Sequence, residues 1–155
     1  MTAEGFARRV DALRPVMYRV CRAQLREAHD REDAAQEAIL RAWEKRDALR
    51  EPKYFETWFI RILINACHDI QRRNARAVVM DAPPEPAPRE DHRDLYLALT
   101  ALDEKQRLCV LLHYIEGYSV REVAKMLGIG ESAAKLRLMR GRKRLSELLS
   151  EEVFI

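Results

Sequence analysis

SVREVAKMLGIGESAAKLRLMRGRKRL, residues 119–145, holds two apolar helical patterns separated by Gly128-Ile129-Gly130, and the second ends in positive charge. Ser119-Val-Arg-Glu122 fits the reciprocal capping box that opens a helix. Val123, Ala124 and Leu127 then recur on one face. Gly130 stands where a cap for the next helix belongs, and Glu131 suits that helix's positive end. Ala134, Leu138 and Leu145 keep the second helix on a core. Between Glu131 and Leu145 there are six cations against one anion. A helix that enters the major groove needs small residues near its start, long donors for base edges and cations for phosphates. Ser132, Ala133 and Ala134 meet the first demand, and Lys135 and Arg137 the second. Arg140, Lys143 and Arg144 meet the third. An isolated basic run is usually the solvated face of a packing helix. Here the capping box, glycine turn, small residues and charge asymmetry agree on a DNA-reading helix-turn-helix.

Working backwards, Asp103 can cap a helix carrying Leu108, Leu111, Leu112 and Ile115 that ends at Gly117. Leu95, Ala98, Leu99 and Leu102 make a short helix before it. The composition then changes: Val78 to Asp91 holds Pro83, Pro84, Pro86 and Pro88 among acidic residues, which reads as an extended linker. Before the linker, Phe6, Val10, Leu13, Met17 and Val20 predict a first helix over about 3–25, with Pro15 a possible kink or break. Asp30 is a plausible cap for a second helix carrying Ala35, Ile39, Ala42, Trp43 and Leu49 and stopping at Pro52. A third is expected from Tyr54 to Arg76, with Phe55, Trp58/Phe59, Ile62, Ala66 and Ile70 inward. The expected fold is all-α: a helical domain at 1–77, a Pro-rich acidic linker at 78–93, and a helix-turn-helix domain at 94–155.

Composition narrows the function. With 155 residues, 34% charged and only 7% aromatic, two small helical units fit better than one large core. No window alternates apolar and polar residues, which speaks against a β-rich fold. Cys21, Cys67 and Cys109 are odd in number and widely spaced, so a reducing cytoplasm is expected rather than a disulfide framework. No run approaches the roughly 20 apolar residues of a membrane span, so no membrane insertion is expected. Cys67-His68-Asp69 and the Cys109/His113 pair raise a metal or nucleophile reading. Zinc wants about four ligands, however, and no second pair follows. No phosphate-binding loop or nucleophile elbow occurs. Neither an enzyme nor a cofactor is expected.

Taken together, the motifs resemble those of bacterial extracytoplasmic-function sigma factors. Leu127 to Leu145 is similar to their L-G-I-S-x-x-T-V-K-S-R-L-x-R-A-R-x-x-L. Asp33-Ala-Ala-Gln-Glu-Ala-Ile-Leu-Arg-Ala-Trp43 resembles D-x-x-Q-E-x-F-x-x-A-W. Phe55-Glu-Thr-Trp-Phe-Ile-Arg-Ile-Leu-Ile-Asn65 resembles F-x-x-W-L-x-R-I-A-x-N, and Asp69 with Arg72 and Arg73 resembles D-x-x-R-R. The likeness implies a transcription initiation factor with a region 2-like and a region 4-like domain. It implies that Asp33, Gln36 and Glu37 dock on the clamp helices of the largest subunit of core RNA polymerase. It implies a promoter-melting role for Lys53, Tyr54, Asn65, Asp69, Arg72 and Arg73 on the single strand upstream of the start site. Ser132, Lys135, Arg137, Arg140, Lys143 and Arg144 would meet duplex promoter DNA. The flap of the second-largest subunit and an anti-sigma factor are further implied partners, and the linker would thread along the polymerase. The alternative is a sigma-like mimic that only sequesters an anti-sigma factor. Departures are Gly130 for serine, Ala133 for threonine, Leu136 for serine, Ile39 for phenylalanine and Gly141 for alanine. The last was expected to cost about 1 kcal/mol of helix propensity.

Overall fold

The computed structural model describes residues 1–76 and 93–153, so most of the expected linker, 78–92, lies outside the described residues. The chain forms two compact units. No strand occurs among the described residues.

The N-terminal unit packs four helices: α1 (Ala3–Ala12), α2 (Arg14–Gln24), α3 (Ala28–Glu44) and α4 (Phe55–Arg76). The first helix expected from the sequence is two. The chain breaks at Leu13, and Pro15 sits in the first turn of α2, where its missing N–H costs nothing. Phe6, Val10, Leu13, Met17 and Val20 are all buried, so the apolar stripe runs on through the break. Thr2 caps α1, its hydroxyl accepting from the Gly5 N–H at 3.1 Å.

Helix α3 corrects three expectations. Its cap position is Glu27, not Asp30. Asp30 lies in the first turn and is buried, because its carboxylate turns to α4 and accepts from Asn74 Nδ2 at 3.0 Å. The buried face of α3 is Ala34, Ala38 and Ala42: Ala42 is buried as expected, whereas Ala34 and Ala38 take the places expected of Ala35 and Ile39. Side chains that small let two helix backbones approach closely. Helix α3 ends at Glu44, well before Pro52, and two 3₁₀ turns (Arg46–Ala48 and Pro52–Tyr54) lead into α4.

Helix α4 is enclosed on more sides than an amphipathic surface helix. Phe55, Phe59, Ile60, Leu63, Ile64, Ala66, Cys67 and Ile70 are buried, whereas Trp58 and Ile62 are only half-buried. Phe55 is an aromatic hub, with ring centroids 5.9 Å from Phe6 and 5.6 Å from Phe59. Phe6 also meets Trp43 edge-on at 5.2 Å. The Cys21 and Cys67 sulfurs come within 3.9 Å inside this core.

The C-terminal unit contains α5 (Arg93–Thr100), α6 (Glu104–Val110), α7 (Val120–Leu127) and α8 (Glu131–Val153). Asp103 caps α6, accepting from the Gln106 N–H at 2.8 Å. The helix expected to run to Gly117 instead widens after Val110 into a π-helical turn, Leu111–Ile115. His113 Nδ1 bonds the Tyr118 carbonyl at 2.7 Å, and Gly117 turns the chain at φ +82°.

The capping box forms in both directions. The Glu122 N–H donates to Ser119 Oγ at 3.1 Å, and the Ser119 N–H donates to Glu122 Oε1 at 3.2 Å. Gly128, at φ +67°, ends α7, while the Ile129 N–H reaches back to the Ala124 carbonyl at 3.0 Å. The Gly130 carbonyl accepts the first bond of α8, from the Ala134 N–H at 3.1 Å.

Gly141 is more than a weak point in α8. A Cβ there would sit 2.7 Å from Val110 Cγ2, so the bare backbone is what lets α8 close on α6.

Candidate functional site

Two surfaces carry the residues singled out in the sequence. On the N-terminal unit, α3 and α4 flank an open groove of about 480 Å³. Asp33, Gln36 and Glu37, at i, i+3 and i+4, line one wall with Leu40, an exposed leucine. Asp69 and Arg73 of α4 line the other. The groove therefore brings together residues that the sequence assigned to two different tasks.

Arg41 ties the walls. Its Nε donates to Glu37 Oε1 at 3.0 Å, and its Nη2 lies 2.9 Å from Asp69 Oδ2. Arg72 bonds the other oxygen of Asp69. Partial burial would raise the Asp69 carboxyl, but the hydrogen bonds and charges of Arg72 and Arg41 outweigh it and hold the group below its ordinary value. Nearer the start of α3, Arg73 Nη2 lies 3.8 Å from Asp30 and 4.0 Å from Asp33. His29 Nε2 lies 3.3 Å from Asp30.

The remaining α4 candidates are spread along the helix. Lys53 and Tyr54 are exposed in the 3₁₀ turn before it, with Lys53 Nζ 3.2 Å from Glu51 and 5.1 Å from the Tyr54 ring centroid. Asn65 is exposed three turns on, roughly 16 Å from Tyr54 at the helical rise. Asn65, Asp69 and Arg72, at i, i+4 and i+7, share one stripe, which Arg61 extends by a turn.

On the C-terminal unit, Ala134, Leu138 and Gly141 mark the buried side of α8. Ser132, Lys135, Arg140, Lys143 and Arg144 are exposed. Arg144 faces Glu147 at 3.4 Å, while Lys135, Arg140 and Lys143 have no ion pair among the described residues. Arg137 differs: it is half-buried, near enough to the Cys109 thiol to act on it electrostatically. Burial pushes that thiol up, and Arg137 partly offsets the shift. Cys67 points into the core toward Cys21 while Asp69 faces the groove, so the consecutive Cys67, His68 and Asp69 diverge around α4.

The sequence reading missed Arg41. An i,i+4 Glu–Arg pair, Glu37 to Arg41, was its visible signal.

Comparison with known proteins matches residues 9–77 to sigma-70 region 2 and residues 92–145 to sigma-70 region 4. The chain is 34% identical over 139 residues to the ECF RNA polymerase sigma factor SigM of Mycobacterium tuberculosis, covering 86% of this chain and 71% of SigM. It is 31% identical over 155 residues to the RNA polymerase sigma factor RfaY of Xanthomonas campestris, covering 90% of this chain but only 39% of that relative. The fold matches the sigma factor RpoE of Bartonella quintana, solved with the anti-sigma factor NepR, at a TM-score of 0.81 and 24% identity, over 96% of this chain and 98% of that one.

Two helical units in this order, the second a capped helix-turn-helix, define the sigma-70 class of transcription initiation factors, which are not enzymes. Within that class the chain belongs to the ECF RNA polymerase sigma factors. No helix among the described residues is long and apolar enough to cross a membrane.

Proposed function

We propose that this chain joins core RNA polymerase in the cytoplasm, reads two promoter elements and helps to open the DNA at the element just upstream of the start site. The α3 wall of the groove, with Asp33, Gln36 and Glu37, suits a basic coiled coil on the largest subunit, since charge complementarity steers association and fixes register. Exposed Lys53 and Tyr54 before α4 and Asn65 on it offer a cation, an aromatic face and an amide to an unstacked strand. Arg72 and Arg73 supply charge for its backbone, and Asp69 positions Arg72. Exposed Ser132, Lys135, Arg140, Lys143 and Arg144, with half-buried Arg137 beside them, engage the upstream duplex. Two modules on one chain gain avidity without tight binding by either. The flap of the second-largest subunit, and an anti-sigma factor that occludes these surfaces, are the further partners proposed.

The observation that carries this reading is the contrast in charge: an acidic, internally paired groove on one unit and, on the other, a cationic helix face whose Lys135, Arg140 and Lys143 have no ion pair among the described residues. A mimic that merely sequesters an anti-sigma factor has no use for that free cationic face. The test is run-off transcription with core polymerase on fragments of the encoding genome. Discrete transcripts sharing upstream elements are expected. Failure to join core enzyme, or joining without initiation at any defined start, overturns the proposal.

A further inference from the structure

The outward face of α8 is centred on an apolar side chain rather than a polar one. Successive residues turn by about 100° around a helix, which sets Leu136 nearly opposite the buried Leu138. Leu136 is 41% exposed and Met139, one turn on, is 54% exposed. Ser132 stands one turn before Leu136, with Arg140 and Lys143 beyond it. Single exposed leucines are common on protein surfaces and need no explanation by themselves. This one occupies the middle of a cationic face, within the first two turns of the second helix of a helix-turn-helix, where base edges are read. The small Ser132 and Ala133 before it leave room for the backbone to approach DNA. Leucine has neither donor nor acceptor, so it reads nothing through hydrogen bonds. The one apolar group that the major groove displays is the C5-methyl of thymine.

We propose that Leu136, with Met139 beside it, sets base preference in the upstream promoter element by packing against thymine methyl groups. This rests on the proposed function, and it specifies what the helix selects: thymine over cytosine or uracil at one or two adjacent positions. The flanking cations hold the helix on phosphates without choosing among sequences.

The experiment uses the full chain with core polymerase on promoters mapped by run-off transcription. Each upstream thymine is replaced singly by deoxyuridine, which removes the methyl and leaves every hydrogen-bonding group in place. At one or two positions the replacement should weaken promoter binding about fourfold, the worth of one buried methyl-sized group. Cytosine at the same position should bind weakly and 5-methylcytosine should recover part of the loss. In Leu136→Ala and, more strongly, Leu136→Ser the deoxyuridine penalty should shrink at the position Leu136 covers while core binding is retained. Tolerance of deoxyuridine at every position, an upstream element without thymine, or an undiminished penalty in both variants overturns the methyl contact and leaves the sigma reading standing. Failure to initiate at any start overturns both.

Discussion

The two units treat their charges in opposite ways. In the α3–α4 groove, acids and bases pair with one another: Glu37 with Arg41, Arg41 with Asp69, Asp69 with Arg72, and Arg73 with Asp30 and Asp33. On α8, Lys135, Arg140 and Lys143 have no such partner among the described residues. The difference suits the recognition proposed for each surface. A protein partner has its own fixed pattern of charges, so a surface held in one arrangement by internal pairs can match it. A nucleic-acid duplex offers phosphates at a regular spacing and releases counterions as each cation arrives, so free cations suffice. Removing one charge from the groove therefore strands its partners, whereas removing one from α8 subtracts a single contact.

The hardest test of that contrast is Asp30→Ala. Asp30 is the buried charged residue of the described core, and its loss leaves the Asn74 amide and Arg73 without their acceptor. A buried polar group left unpaired costs about 1–3 kcal/mol, so thermal melting should fall clearly. A melt like that of the parent would mean the groove pairs are incidental. Next in size is Gly141→Ala, which asks whether packing rather than charge sets the stability of the C-terminal unit. Alanine gains about 1 kcal/mol of helix propensity. Its methyl, however, would meet Val110 Cγ2 at 2.7 Å, and overpacking typically costs about 1–3 kcal/mol. A net loss by thermal or denaturant unfolding is expected, and a gain would show that Val110 moves aside freely. Smaller still for stability is Lys143→Ala, which should change it by no more than about 0.5 kcal/mol. The same variant should lower the slope of log affinity for promoter duplex against log salt by about one. An unchanged slope would remove Lys143 from the phosphate contacts.

Much of this was legible in the sequence because local chemistry decided it. The Ser119/Glu122 capping box, the Asp103 cap and the glycine turn at Gly128 are set by side chains within a few residues. The apolar stripe from Phe6 to Val20 needed only the helical period. What escaped depends on neighbours distant in sequence. Asp30 has the chemistry of a cap, and only Asn74 on α4, 44 residues away, draws it inward. On α3, Ala34 and Ala38 were missed beside the expected Ala42, because alanine signals weakly in any periodicity. Gly141 read as a defect until Val110 appeared opposite. At the candidate site the residue types were visible, but their grouping was not. The tie from Glu37 through Arg41 to Asp69 crosses from one helix to another, and only the packing of α3 on α4 creates it.

The smallest expected effect sharpens the comparison through pH. Burial works to raise the Asp69 carboxyl, and the bonds and charges from Arg72 and Arg41 prevail and depress it. A carboxyl depressed on folding contributes stability above its unfolded value, about 3.9, and loses it as pH falls through the lower folded value. Asp69→Asn should therefore be slightly less stable than the parent near neutrality. The gap should close as pH falls below about 4, where the parent's carboxyl also takes up its proton. Because the side chain is 40% exposed, solvent screens the pairs and the gap is small. Lys143→Ala supplies the control from the other unit. Lys143 has no carboxylate partner among the described residues, so the stability difference it makes should stay flat over the same acid range. Parallel acid limbs for Asp69→Asn and its parent would mean that the groove's ion pairs do not stabilise the fold. A closing gap for Lys143→Ala as well would erase the distinction between tied and free charges.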